Sequence, residues 1–404
     1  MEMCPECNQY TGWTWCQSCN SKHFKNDFDK WTSGIDTIDK FIQDAQLIAN
    51  DYRELVGFAD KLLVGILNKQ WEIYGQREVV LKRFDDFANL NEEFLNEMSI
   101  HLKSGLSSIR FYGITQDPET QKYMMVLDYA KDGNLRDNLK NNFNNINWET
   151  KLYYLKELAY NFKSIHDLDI VHQDFHPGNI LAYNFISYCL YITNFGLSKL
   201  IGPLINPEKK NIFGVLPYVA PEVLSDEEYT KAADVYSFGI ITCEIITGIP
   251  PYHDISHNKD LAMKICNGLR PKIPFHTPKL ITKMIMRCWD ARVIHRPTFE
   301  ELFKELKDYY QDYKKNKDSE NGIQIKKAEE FFPSTNTITT TNPLDYKTHP
   351  QAIYTSRLLN FSSLPKPKND EIFEKELEEL TKSDSDLSTT DSGMIDLDIS
   401  NLKF

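Results

Sequence analysis

The chain has 404 residues, 41% of them hydrophobic and 26% charged, which suits two or three folded units with real apolar cores. Its net charge is −12, from 46 basic and 58 acidic residues, and that excludes a basic surface for nucleic acid as the organising feature. The longest apolar run, residues 239–248, contains Glu244 and is far too short to span a membrane, so it reads as a core helix.

Nothing at Met1-Glu-Met-Cys4 reads as a secretory signal, and cytoplasmic or nuclear residence is the expectation. Cys4, Cys7, Cys16 and Cys19 form two C-x2-C knuckles with eight residues between them. Such a pair can present four thiolates tetrahedrally to one zinc ion, with Trp13 and Trp15 packed over it. The bland alternative is a reduced, flexible tail. With zinc, residues 1–21 are a mini-domain whose fold depends on the metal.

Residues 22–50 read as a helical segment. Ile35, Ile38, Phe41, Ile42, Ala45 and Ile48 fall at helical spacing, and Ser33 is the expected N-cap. Docking on the next domain is preferred to recruitment of a partner. Two short apolar runs, around Arg110–Gly113 and Tyr123–Leu127, flank Asp117-Pro118 and predict a hairpin. Further on, Leu152, Leu155, Ala159, Phe162 and Ile165 make one apolar helical face, and residues 189–193 read as a strand. Cys189, Cys243, Cys266 and Cys288 are expected to be reduced hydrophobes on core elements. From residue 316 the composition turns to Ser, Thr, Pro and Asn. Residues 369–404 carry eleven acidic and three basic side chains, a net of −8. Residues 316–404 therefore read as a disordered acidic tail, with a transient helix over 371–382; residues 383–392 look like an acceptor tract for acidophilic kinases, but a solubilising tail is the preferred reading.

The chemistry lies between these ends. His172-Gln173-Asp174 is followed, after four residues, by Asn179. A phosphotransfer catalytic loop has this spacing, with the Asp taking the proton of an attacking hydroxyl and the Asn holding a magnesium ion. Around it stand Val79-Val80-Leu81-Lys82, Glu97 fifteen positions later, Asn194-Phe195-Gly196, Ala220-Pro221-Glu222, Asp234 through Gly239, Gly248-Ile-Pro-Pro251, Cys288-Trp289-Asp290 and Arg296-Pro297. In this order they resemble the eukaryotic protein kinases over residues 51–315, in the style of the tyrosine-kinase-like branch.

The resemblance implies an α+β, bilobal fold, with a small antiparallel β-sheet lobe and a helical large lobe. It implies ATP and Mg as cofactors and a protein substrate or signalling partner, in a monomer with no membrane or nucleic-acid role. It assigns catalysis to Lys82, Asp174 and Asn179. ATP contacts fall to Lys82, Glu97, Leu127, Asp128, Ala130, Leu181 and Asn194, and magnesium to Asn179 and Asn194. His172, Phe195, Gly196, Glu222, Asp234 and Arg296 are core residues of the fold.

Four departures bear on activity. Asn194 stands where the family has a metal-binding Asp, which removes a full charge beside a divalent ion. No G-x-G-x-x-G lid precedes Lys82; Gly57, Gly65 and Gly75 are eight and ten apart. Val215 and His176 replace a Thr and a Lys around the catalytic Asp. Gln173 replaces the Arg that pairs with a phosphorylated activation loop, and between Lys199 and Glu222 the one hydroxyl is that of Tyr218. The expectation is a kinase-fold signalling protein with weak or lost phosphotransfer, a pseudokinase-like scaffold. The alternatives are an active Ser/Thr or dual-specificity kinase and, third, a small-molecule phosphotransferase.

Overall fold

The computed structural model describes residues 2–4, 6–11, 16–30, 32–49, 57–58, 78–83, 92–120, 122–185, 189–200, 211–331, 346–361 and 363–386. At the N-terminus, strands β1 (Glu2–Met3) and β2 (Tyr10–Thr11) pair antiparallel and lead to helix α1 (Gln17–Lys25). Trp13 and Trp15 lie outside the described residues. Helix α2 (Asp36–Ile48) packs against α1 and buries Ile38, Ile42 and Ala45. Its N-cap is Ile35 rather than Ser33. Asp39 instead reaches back and accepts the Ser33 amide at 2.7 Å, which satisfies the helix entry by another route.

The small lobe is a four-stranded sheet in the order β3-β5-β6-β4, covered by helix α3 (Glu92–Ser104). Strands β5 (Phe111–Gln116) and β6 (Tyr123–Asp128) form the hairpin expected around Asp117-Pro118. Strand β4 (Val79–Arg83) pairs antiparallel with β6 and sets Lys82 opposite Met125. Strand β3 (Gly57–Phe58) lies at the far edge, parallel to β5, so Gly57 is remote from the lysine strand. Gly65 and Gly75, and with them the region of the expected lid, lie outside the described residues. One apolar core joins Ile38 and Ile42 of α2 to Phe94, Met98, Ile114, Met125 and Leu127. The amphipathic face of α2 is thus spent on this sheet.

The large lobe is mainly helical. Helix α4 (Leu135–Asn142) is capped by Asn134 and α5 (Trp148–Asp167) by Asn147. Leu152, Leu155, Ala159, Phe162 and Ile165 are fully buried along α5. Strands β7 (Ile170–Val171), β8 (Ile180–Ala182), β9 (Leu190–Ile192) and β10 (Lys199–Leu200) pair as β7–β10 and β8–β9, and flank the loop over residues 172–179, the expected catalytic loop. Strand β11 (Ile212–Gly214) and the single-turn α6 (Pro221–Leu224) end the segment beyond it. Helix α7 (Lys231–Thr247) is buried from Ala233 to Ile246, which explains its unbroken apolar run. Helix α9 (Lys279–Cys288) packs on it, while α8 (Lys259–Cys266) packs on α6 and α10 (Phe299–Lys315) on α5, all in one core. Cys243, Cys266 and Cys288 are buried, but Cys189 is exposed, at the edge of β9 and not inside it.

The expectation of disorder from residue 316 is corrected by two ordered elements, and the helix expected over 371–382 is present and longer. Helix α11 (Glu320–Glu330) returns to α5, where Glu329 accepts the Trp148 amide at 2.6 Å. Strand β12 (Arg357–Leu359) pairs antiparallel with β11. Helix α12 (Glu371–Asp386) lies on α9 and buries Phe373. Composition was misleading here because the ordering contacts are non-local: backbone pairing with β11 and a few apolar side chains, Ile325, Leu359 and Phe373 among them, that reach the core of the large lobe. Residues 387–404, including most of the acceptor-like tract, lie outside the described residues.

Candidate functional site

Between the lobes, β4, α3, the catalytic loop and the turn after β9 bring their side chains to one point. The Lys82 amine donates to Glu97 Oε1 at 2.5 Å and to Asn194 Oδ1 at 3.1 Å. Asn194 Nδ2 donates to Asn179 Oδ1 at 3.4 Å, and Asn179 Nδ2 donates to Asp174 Oδ2 at 3.2 Å and to the Asp174 carbonyl at 2.8 Å. A continuous polar chain therefore runs from Glu97 to Asp174. Asn194 sits in the left-handed region at φ 67, which an Asn tolerates better than most residues.

The electrostatics are those of a site kept ionised. Burial would raise the Glu97 pKa, yet His101 and Lys82 beside it hold it below the usual value. Burial acts on Asp174 in the same way, and His176 and His172 outweigh it. His176 Nε2 is 3.7 Å from Asp174 Oδ2, while its Nδ1 accepts the Gly178 amide at 3.1 Å. Val215 is buried beside this loop and offers no hydroxyl.

Below the loop, Asp234 accepts the amides of His172 at 2.9 Å and Gln173 at 3.2 Å, and pairs with His166 at 3.0 Å. Gln173 itself is left-handed, at φ 67. Phe195 is fully buried against His172, with ring centroids 5.2 Å apart, and Gly196 follows it in the same single turn. Arg296 donates twice to Glu222, at 2.7 Å each, in a buried bidentate pair. Tyr218, the hydroxyl the sequence leaves in this segment, is buried; it donates to Glu244 and accepts from Arg136 at 3.0 Å. It is a packing residue and not an exposed acceptor.

Leu127 and Ala130 are buried on the small-lobe side of the connection, and Leu181 packs half-buried against them. Asp128 accepts the Tyr183 hydroxyl at 2.6 Å. Sequence reasoning missed His101. It lies four residues after Glu97 on the same helical face, 3.8 Å from the carboxylate, and meets Phe195 edge-on at 4.9 Å. The i, i+4 spacing on a helix could have found it. Asn96 was also missed; it donates to the Ser198 carbonyl at 2.7 Å and ties α3 to the turn after Asn194.

Two donor sets can be tested against the groups the fold implies. Around Asn179 and Asn194 the donors are oxygens, as Mg²⁺ requires. Asp174 Oδ1 is buried without a hydrogen bond among the described residues, so the pocket keeps unspent acceptor capacity. The set fits a magnesium–nucleotide, with one negative charge fewer than the family's pair of an Asp and an Asn. At the N-terminus the four cysteine sulfurs lie within 4.8 Å of one another. Cys4–Cys19 is 3.8 Å and Cys7–Cys16 is 3.6 Å. Tetrahedral zinc with bonds near 2.3 Å needs sulfurs about 3.8 Å apart, so the residues fit that ion.

Among known proteins, the chain resembles a probable LIM domain-containing serine/threonine-protein kinase of Dictyostelium discoideum, 30% identical over 262 residues, covering 63% of this chain and 39% of that protein. A putative serine/threonine-protein kinase/receptor of Acanthamoeba polyphaga mimivirus is 34% identical over 184 residues, 45% of this chain and 11% of that protein. Stress-activated protein kinase alpha of Dictyostelium discoideum is 26% identical over 286 residues, 66% and 44%. The chain thus spans less than half the length of these relatives. The family model for protein tyrosine and serine/threonine kinases matches residues 61–306, a stretch that holds every member of the site between the lobes, and the chain belongs to that family.

Proposed function

We propose that the chain is a protein Ser/Thr kinase of the tyrosine-kinase-like type whose phosphotransfer is strongly reduced, so that it works largely as a nucleotide-sensitive signalling scaffold. The observation that carries this reading is Asn194. Lys82, Glu97, Asp174 and Asn179 form a connected set around it, and the residue between them is neutral where charge is needed. MgATP supplies the transferable phosphoryl group. Lys82, held by Glu97, orients the phosphates, and Asp174 accepts the proton of the acceptor hydroxyl. At an effective dielectric near 20, one missing unit charge at 4 Å costs about 4 kcal/mol, or up to about three powers of ten in rate.

Thermal shift with ATP, with and without Mg²⁺, tests binding by mass action. A magnesium-dependent rise in melting temperature is expected. Asn194→Asp should raise transfer to casein by roughly 10- to 1000-fold. No shift under either condition, together with no gain from the Asp, would leave a nucleotide-free scaffold and overturn the kinase reading. We further propose zinc on Cys4, Cys7, Cys16 and Cys19, supported by the sulfur spacing.

A further inference from the structure

The segment around residues 349–370 crosses the large lobe directly in front of the catalytic loop. Strand β12 pairs antiparallel with β11, with Arg357 opposite Gly214, Leu358 opposite Phe213 and Leu359 opposite Ile212. Gly214 lies against the catalytic carboxylate. A Cβ there would come within 3.7 Å of Asp174 Oδ1 and 3.0 Å of Val219. With φ at +145 and no Cβ, Gly214 can lie this close to Val219 and the catalytic loop while its backbone pairs with β12. Ser356 immediately precedes the residue opposite Gly214. Asp174 Oδ1, buried and without a hydrogen bond among the described residues, is the oxygen left open on that side.

Other contacts fix the register. Arg136 donates to the Tyr354 carbonyl at 2.8 Å, and the Tyr354 hydroxyl donates to the Pro251 carbonyl at 2.8 Å. Arg357 donates to the His257 carbonyl at 2.5 Å, and Leu359 is buried. This is strand addition to an exposed edge, in which backbone pairing supplies affinity and pockets for alternate side chains supply register. Ser356, exposed and one residue before the partner of Gly214, is the serine this register brings to the catalytic loop.

We propose that residues 352–361 occupy the acceptor-peptide groove of their own chain and that Ser356 is phosphorylated there in cis. The proposal rests on the phosphotransfer reading above. Ser356 Oγ forms a bond to the terminal phosphorus of a nucleoside triphosphate. The bond from that phosphorus to the bridging oxygen breaks, the nucleoside diphosphate leaves with the electron pair, and the hydroxyl proton passes to Asp174. An acceptor held in place converts a bimolecular step into a unimolecular one. That advantage suits a catalyst weakened at Asn194, because one turnover per chain completes the modification. The product dianion then faces the Asp174 carboxylate, and like-charge repulsion favours release of the segment.

The test uses the full chain and its Asn194→Asp form, incubated with MgATP and, in parallel, with casein added. Phosphosites are mapped by mass spectrometry across a hundredfold range of protein concentration. The expected result is phosphate on Ser356, at a fractional rate independent of concentration, and none there in Ser356→Ala. Leu359→Asp, which places a carboxylate at a buried anchor, should lower Ser356 phosphorylation at least about tenfold and raise casein phosphorylation. Hydrogen exchange over residues 212–214 reads docking without any turnover; protection there should fall in Leu359→Asp. Phosphate on casein with none on Ser356 overturns the proposal and leaves the kinase reading standing. A Ser356 rate that scales with concentration overturns delivery in cis. Transfer to neither acceptor in the Asn194→Asp form overturns both readings, and unprotected amides over 212–214 overturn the docking itself.

Discussion

Lys151 shows how much a single side chain can be made to yield by its surroundings. It is fully buried in α5, donates to the Ile246 carbonyl at 3.1 Å and lies 4.3 Å from the Phe143 ring. Burial pushes its amine down to about 7, although Glu329 works the other way. An unfolded lysine titrates near 10.4. Between those values the unfolded chain holds a proton that the folded chain has released, so stability rises with pH across that window and is lowest below 7. Lys151→Met, similar in volume, should remove the slope. Its melting-temperature advantage over the parent chain should be largest near pH 6.5 and shrink by pH 9.5; a gap constant with pH would sink the idea. At the same scale, Asn194 shows what sequence can and cannot give. Its identity announced the missing charge, but only the structure shows its amide oxygen accepting from Lys82 at 3.1 Å and its amide nitrogen turned to Asn179.

Elements with a period were legible, and those held by distant partners were not. The apolar stripe of α2 named Ile38 and Ile42, and both are fully buried. The β5–β6 hairpin and the buried face of α5 followed from alternation and from 3.6-residue spacing in the same way. Strand β12 is three residues long, too short to show alternation, and its order comes from the edge of β11. Helix α12 contains the helix expected over 371–382, and Phe373, Leu377 and Leu380 turn to the core at helical spacing; what the sequence did not show is that this face has a docking site. The N-terminal knuckle is the opposite case: spacing alone located it, and the sulfurs converge. Helix α1 has nine residues, too few to persist in water unaided. Its one buried side chain is Cys19, and Ser21 ties it to the Leu47 carbonyl of α2 at 2.9 Å. The Cys4, Cys16 and Cys19 thiols form the small core at this end. Metal analysis of the purified chain should give about one zinc per molecule, and Cys16→Ser should lose it together with the helical signal of α1. No zinc above background in native protein would end the assignment.

At the scale of the whole molecule, the described residues beyond 316 serve as a brace on the large lobe. Glu329 of α11 accepts the first amide of α5. The Ser225 hydroxyl donates to the Pro365 carbonyl at 2.8 Å, and Asn369 bonds both Ala291 and Asp290 at 2.8 Å. Phe373 then closes on the core. These contacts differ in depth from those of α7, which is buried along nearly its whole length. Ordering a segment costs roughly 1–2 kcal/mol per residue in backbone entropy. A strap with scattered anchors offsets that cost only narrowly, whereas the packed helices offset it many times over. The brace over residues 346–370 should therefore open as a separate unit, at lower free energy than global unfolding. Native-state hydrogen exchange should rank its amides below those of α7. Brief proteolysis under native conditions should cut within it while the large lobe stays intact. If strap and α7 amides exchange with the same free energy, the brace is part of the cooperative core; it would then leave the groove only when the whole lobe unfolds, and no acceptor from another chain could reach Asp174 in the folded protein.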